Sequence, residues 1–368
     1  MQKSEIIISI IFILISIILF FIPNKYEKRI DNASIRCKGI ILSIDNTDIH
    51  QQGFIKIGTQ EVKLKILNGK FKGKIFSATN QLMGYLDRDK IFEVGDEVLV
   101  VLSLNAKGRV IFVNPQDIYR LGLEWKLFLA FLFTVLLFGG WTGTRALISF
   151  IFTALVLWKI LIPSALNGIN PIFISLGVVC ILTASIIFLV AGLNKKAVTA
   201  FIGSLLGIIV TCLIAYYSTY RVKIHGAVMP FSEPLLYAGF GHLNLTEIYI
   251  GTIFLASSGA VMDIAMDISA SMSEVLLRKP DISRIQLAWS GIRVGRSVLG
   301  TMVTTLLLAY CGGYITLLMF FMAQGIPMWN MFNLVYVAAE VIKTLTGSCG
   351  LVLTAPFTAF IGAWILKS

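Results

Sequence analysis

The chain has 368 residues, 57% of them hydrophobic and 14% charged, with a formal net charge of +11 and a mean hydropathy of +0.83. Soluble domains average about 25% charged and 45–50% apolar residues, so both departures exclude an ordinary soluble globule and point to lipid. The basic excess calls for no nucleic acid, because Lys and Arg clustered in short loops also hold membrane helices against an anionic leaflet.

Apolar runs long enough to cross a hydrocarbon core of about 30 Å recur along the chain. The first covers residues 6–22 and closes at Pro23 and Asn24. A short basic start precedes it, but no small-x-small cleavage site follows, so residues 1–23 are predicted to be an uncleaved transmembrane anchor.

Residues 24–122 have a different character. Charges are frequent, and turn signals stand at Asn68-Gly69, Val94-Gly95-Asp96 and Lys107-Gly108. Short alternating or β-branched stretches between them predict strands over 35–44, 54–57, 61–67, 74–78, 97–104 and 110–113. Five or six strands in so short a segment suit a small β-rich domain, and an OB-like barrel is one arrangement that fits. Sixteen Lys or Arg against eleven Asp or Glu is too mild an excess to mark a nucleic-acid surface.

The remainder, 123–368, reads as a seven-helix membrane domain with spans near 125–141, 146–164, 171–193, 197–217, 247–265, 298–322 and 347–366. The fold class is therefore an α-helical polytopic membrane protein of about eight transmembrane helices with a small β-rich domain. Orientation follows from basic residues in short loops. Arg145, Lys195, Lys196, Arg278, Lys279, Arg284, Arg293, Arg296 and Lys367 fall on one side, against Arg221 and Lys223 on the other. Both termini are expected in the cytoplasm and residues 24–122 outside it. Lys25, Lys28 and Arg29 disagree locally, but a whole domain translocates with little regard to its charges.

The five cysteines form no CxxC pair, and His50, His225 and His242 lack metal-ligand spacing. No phosphate-binding loop or nucleophile elbow is present in the sequence, so the reading is of a non-enzyme with no cofactor and no metal. The stretch Gly139 to Arg145 reads as a tight hairpin between spans, with Trp141 and Arg145 at the membrane interface.

Polar residues concentrate at the end of the sixth span. Ser257 and Ser258 lead to Asp263 and Asp267, which are four apart and share one helix face; Ser271 and Glu274 extend it. Carboxylates in or near a bilayer are costly and tend to face a bundle interior or a water-filled cavity. They could line an ion or substrate path, or pair with Arg293 and Arg296 and pin two helices together. Glu340 and Lys343 stand three apart in an apolar segment ahead of Gly347-Ser348-Cys349-Gly350 and Pro356. That pattern fits either a broken transporter helix or an amphipathic surface helix followed by an ordinary span. Gly203 and Gly207 form a GxxxG suited to close helix packing, and Thr301 and Thr304, with Thr305, put hydroxyls on the seventh span.

Together these residues resemble the YibE/F-like family of bacterial membrane proteins. The similarity rests on the Val94–Val98 turn, Gly139-Gly140-Trp141 with Arg145, and Ala191 through Lys196. It continues in Gly259 through Asp263, Ser269 through Met272, Gly295-Arg296, Gly300 through Val303, and Leu306 through Tyr310. Glu340, Gly347-Ser348 and Gly350 through Leu353 complete it. Departures fall at Ser258 and Asp267, so Asp263 carries the resemblance and Asp267 does not. The resemblance implies a multi-pass protein of a bacterial cell membrane and no particular activity. Two function classes stay open: a transporter or channel for an ion or small solute with Asp263 near a polar path, and a non-transporting module whose outer β domain binds an envelope partner. The expected partners are the lipid bilayer, an ion or small solute, and a second copy or an envelope protein.

Overall fold

The computed structural model describes residues 3–23, 26 and 34–367; Lys25, Lys28 and Arg29 lie outside the described residues. The chain divides into two compact units, Pro23–Thr134 and the combination of Met1–Ile22 with Val135–Ser368.

The first unit is built on five antiparallel strands, β1 (Ser34–Gln52), β2 (Ile55–Ile66), β3 (Ile75–Met83), β4 (Glu97–Leu104) and β5 (Val110–Ile118). Their order in the sheet is β3-β2-β1-β4-β5. The long β1 makes this possible, since its first half pairs with β4 from Ser34 to Ile40 and its remainder pairs with β2 from Gly39 to Gln52. β3 also packs against β5, so the sheet is nearly closed. Alternate residues turn inward, as a period of two requires: Val62, Leu64 and Ile66 on β2 and Val98, Val100 and Leu102 on β4 are fully buried or nearly so.

Two expected strands are in fact one. The stretches 54–57 and 61–67 join in β2 through Gly58, whose φ of 122° and lack of a side chain let the carbonyl of Asp48 approach. β1 likewise runs past residue 44 to Gln52, because the register shift between Asp45 and Asp48 absorbs a polar stretch that reads as a loop. Thr47 donates from its backbone N–H and hydroxyl to the Asp45 carboxylate, and these bonds lower the carboxyl pKa.

One polar residue is buried at the centre of this unit. Gln60 is fully enclosed. Its Nε2 donates to Asn46 Oδ1 and the Phe92 carbonyl at 2.8 and 2.9 Å, and its Oε1 accepts from the Phe92 N–H and Asn80 Nδ2 at 3.0 and 3.1 Å. These four bonds tie β2 to β3 and to the loop before β4. Cys37 is also buried, donates to the Val100 carbonyl, and has its thiol pKa raised by burial.

The second unit is helical. α1 (Lys3–Phe21) precedes the β unit in sequence, and α2 (Leu121–Val156) begins in the first unit and continues into the second from Val135. α2 turns sharply at Gly140, with φ 51° and ψ −127°. The Val135 carbonyl oxygen comes so close to Gly143 that a Cβ there would overlap it. In a straight helix those residues would stand about 12 Å apart along the axis. The hairpin expected from residues 139–145 is thus a corner set by glycines. Arg145 is buried. A π-helical segment at Leu157–Leu161 leads into α3 (Ile162–Leu166).

The rest comprises α4 (Pro171–Ala191), α5 (Lys195–Arg221), α6 (Ser232–Leu235), α7 (Leu245–Arg278), α8 (Arg284–Gly312), α9 (Ile315–Ala323), α10 (Met328–Asn333) and α11 (Val335–Ile365). Among the described residues six helices are long and apolar enough to cross a membrane, counting Leu121–Leu166 as one, and Ile6–Phe21 is a shorter apolar helix. α7 is the hub and packs on α4, α5, α8 and α11. α5 and α11 approach through glycines: a Cβ on Gly203, Gly207 or Gly350 would overlap Thr358, Thr354 or Thr211.

Two span expectations change. Residues 298–322 are not one helix. α8 starts at Arg284 behind a capping box of Ser283 and Gln286 and ends at Gly312, and α9 restarts at Ile315. α11 is unbroken from Val335 to Ile365, Pro356 included, so it is neither a pair of half-helices nor a surface helix plus a span. Gly347 and Gly350 are there because helices press on them, Gly347 against Ser257 and Leu306 and Gly350 against Thr211.

Replacing Gln60 by Leu strips partners from the Phe92 backbone and Asn80, and should destabilise the β unit by about 2–3 kcal/mol. Faster hydrogen–deuterium exchange confined to β2, β3 and residues 90–93 of the full-length protein would register it. Gly350→Leu should separate α5 from α11 and lower the unfolding temperature of the helical unit in detergent, whereas Gly259→Leu, which meets open space, should not.

Candidate functional site

α7 presents two contrasting faces. Tyr249, Ile253, Ser257, Val261, Ile264, Ile268 and Met272 are buried against neighbouring helices. Ala256, Gly259, Asp263, Asp267, Ala270 and Glu274 are exposed. The exposed set recurs at spacings of three or four, so it forms one continuous stripe. With 34 residues, α7 is about 51 Å long, well over a hydrocarbon core of about 30 Å. Asp263 lies near its middle.

The stripe opens between two neighbours. α8 packs on the side of Ile268 and Met272, where Gly295 and Gly291 meet them, and α4 packs near Gly251, which meets Ser175. Arg293 and Arg296 are exposed on α8, and no ion pair joins them to Asp263 or Asp267. Gly291 and Gly295 face the bundle, and Arg293, midway between them in sequence, points the opposite way. The hydroxyl residues hydrogen-bond within their own helices. Ser257 and Ser258 are buried and donate to Phe254 and Leu255 carbonyls; Thr301 and Thr304 are exposed and donate to Val298 and Gly300 carbonyls.

Glu340 belongs to a separate place. It sits in the first turns of α11 with its Oε1 3.4 Å from Lys343 Nζ, and both side chains are mostly buried. Lys343 lies over the Tyr310 ring, 5.0 Å from its centre. Tyr249, Tyr310 and Tyr314 all stand within electrostatic reach of the carboxylate. Tyr249 donates to the Ala339 carbonyl at 2.6 Å and so fixes α7 to α11 beside Glu340. The Tyr310 hydroxyl is buried and makes no hydrogen bond, whereas the Tyr314 hydroxyl lies within hydrogen-bonding reach of the Glu340 carboxylate. Glu340 is the one charged side chain in the wall of a half-open chamber of about 370 Å³, lined also by Tyr314, Thr344 and Cys311 and by apolar residues such as Leu307, Leu318, Met322 and Phe332.

The sequence-predicted residues therefore separate into two groups. Asp263 and Asp267 share a face as their spacing requires, whereas Glu340 is near Tyr249, fourteen residues or roughly 21 Å up α7 from Asp263. The tyrosines around Glu340 were not singled out in the sequence. Their signal was available only as Tyr310 and Tyr314 four apart at a helix end, which says nothing of a partner on α11.

A family model described as YibE/F-like protein matches residues 127–368, and one described as YibE/F family N-terminal domain matches residues 38–114. No curated protein and no solved structure matches the chain.

Lys343→Met should leave the Glu340 carboxylate uncompensated. Because the pair retains some exposure, the expected loss is about 2–3 kcal/mol, below the 3–5 kcal/mol of a fully buried pair. The double variant with Glu340→Met should recover most of it in thermal unfolding of the detergent-solubilised protein.

Proposed function

The chain belongs to the YibE/F-like family, and from that membership and the faces of α7 we propose that it is a multi-pass membrane protein, not an enzyme, that carries a small cation or a proton along the Asp263–Asp267 stripe. One observation carries this reading: two carboxylates are exposed on a long helix that is otherwise packed among apolar helices. Each charge at the centre of a bilayer costs about 2.5–3.5 kcal/mol even on the mildest scale. Lipid is thus a poor neighbour for this face, and water or protein must meet it. Gly259 and Ala270 keep the stripe narrow in side-chain bulk, which favours water access.

In this reading eight segments cross the cell membrane of a bacterium: α1, the two arms of the 121–166 helix on either side of Gly140, α4, α5, α7, α8 and α11. Basic loops set both termini in the cytoplasm, and the β unit, with its OB-like strand order, lies outside. A second reading has some support from the β unit. Phe54, Tyr85 and Leu86 are exposed around one shallow pocket, and such a patch suits an envelope protein partner.

The test begins from a variant lacking the native cysteines, with single cysteines placed along α7 in sealed membranes. Positions 263 and 267 should react with a membrane-impermeant maleimide at least about tenfold faster than positions 255 and 266. Asp263→Asn should abolish cation or proton flux in proteoliposomes while leaving yield and unfolding temperature unchanged. A stripe reached only by lipid-soluble reagents, or flux indifferent to Asp263→Asn, would refute the path.

A further inference from the structure

We propose that two copies of this chain associate in the membrane through α7 and α8, and that the partner's α8 forms the second wall of the Asp263–Asp267 stripe. This rests on the membrane path proposed for α7, with the partner standing across it. Three observations converge on a second copy.

The first is a set of opposite charges left without partners. Asp263 and Asp267 are exposed on α7, and Arg293 and Arg296 are exposed on α8. Among the described residues none of the four makes an ion pair. α8 is an edge helix, with five of its 29 residues buried against fourteen of 34 on α7. Arg296 is sixteen residues, or roughly 24 Å, from the end of α8 at Gly312, so a hydrocarbon core of about 30 Å starting at that end takes it in. Lipid is as poor a neighbour for these guanidinium groups as for the carboxylates, and a protein face of opposite charge suits both.

The second is depth. α7 and α8 run antiparallel, and their levels are fixed where Gly295 meets Ile268 and Gly291 meets Met272. One residue beyond the first of these contacts, Arg296 is level with Asp267. Five residues beyond it, Gly300 is level with Asp263. Arg296 and Asp267 thus share a depth without meeting in their own chain. A two-fold axis along the bilayer normal keeps every residue at its depth, so it sets the partner's Arg296 level with Asp267 and repeats the pair on the other side of the axis. Each copy then offers one acidic and one basic helix to the other.

The third is what this places opposite Asp263. Gly300, with Thr301 and Thr304 beside it, lies exposed on α8. A Cβ on Gly300 would meet nothing in its own chain. Glycine is disfavoured inside a helix, and close approach of a second helix accounts for one here where packing within the chain does not. Thr301 and Thr304 already donate to carbonyls of their own helix, which leaves their oxygens as acceptors. With Asp267 compensated by the partner's Arg296, Asp263 is the carboxylate left uncompensated, and it faces a wall of small, hydroxyl-bearing residues that leaves room for an ion.

The test uses the full-length protein without its native cysteines, co-expressed as two differently tagged copies, one with Asp267→Cys and the other with Arg296→Cys. A membrane-permeant bis-maleimide spanning the about 8–10 Å between packed helix axes should join them at least about tenfold faster than it joins Asp267→Cys to Leu206→Cys. Leu206 is the control because it is exposed at a similar depth on α5. In proteoliposomes of neutral lipid, Asp267→Arg or Arg296→Asp alone should lower the dimer population counted by single-molecule photobleaching at least about tenfold, and the two together should restore it. Monomers from the unaltered protein, cross-linking no faster at 296 than at 206, or a swap that fails to restore association would each overturn the proposal. So would association that requires anionic lipid, which would assign the arginines to headgroups. Both measurements read association alone. A dimer without flux leaves this proposal standing, and flux from a monomer overturns it while the α7 path stands.

Discussion

Helices α5 and α11 meet with almost no side-chain volume between them. Gly203 and Gly207 on one, and Gly350 on the other, take the Thr358, Thr354 and Thr211 side chains directly against backbone. Among apolar helices in lipid there is no hydrophobic gain from association, so close van der Waals contact of this kind is what holds a bundle together. The rest of the helical unit depends on it. Once α11 is fixed on α5, its other side receives α7 and α8. Gly347 lets Ser257 and Leu306 in, and Gly362 lets Met272 in. The Tyr249 bond to the Ala339 carbonyl then sets how far α7 slides along α11. Glu340 is placed by that contact and not by any polar attraction of its own.

The same packing decides which face of α7 is left over. Four neighbours cover its apolar side and leave the side with Asp263 and Asp267 open. A soluble protein would put such a face in water without comment. In a helix of this length inside an apolar bundle, the arrangement is inverted relative to the solvent lipid provides, and polarity on the outside becomes the feature that calls for a function. The α8 arginines do not relieve it. Gly291 and Gly295 must turn inward to let α8 approach, which sends Arg293 outward. Spacing along α8 alone does not reveal which residues the helix gives up to packing, so the outward turn of Arg293 is not legible in the sequence.

What could be read from the sequence follows the reach of each signal. Alternation in 97–104 and the glycine turns are local, and β4 lies where that alternation puts it, whereas 110–113 is only the first part of β5, which runs on to Ile118. The corner at Gly139-Gly140 was legible for the same reason, since only glycine adopts a φ of 51° freely with ψ near −127°. Where local chemistry competes with long-range pairing, the reading failed. Residues 45–53 are polar enough for a loop, yet pairing with β2 keeps them extended. Gly347-Ser348-Cys349-Gly350 and Pro356 look like a broken helix, yet α11 passes through them, because glycines at a tight interface are indistinguishable in sequence from glycines at a break. The Glu340 surroundings were hidden for a different reason: Tyr249, Tyr310 and Glu340 come from three helices, and no periodicity links them.

The two polar places on the helical unit differ in the physics that could make them work. At the α7 stripe, charge is exposed and must be met from outside the helix, so its properties depend on what fills the space between α4 and α8. At Glu340, charge is enclosed, its partner Lys343 is one turn away, and the enclosure is apolar. Low polarity around an enclosed pair strengthens the attraction within it and raises the cost of any acceptor left over. α7 touches both through one rigid helix, with Tyr249 at the chamber end and Asp263 roughly 21 Å away. An event at the chamber that shifted Tyr249 off the Ala339 carbonyl would move α7 against α11 along its whole length. The contacts of Gly347 with Ser257 and of Gly362 with Met272 oppose that sliding, since both would have to part before α7 could move.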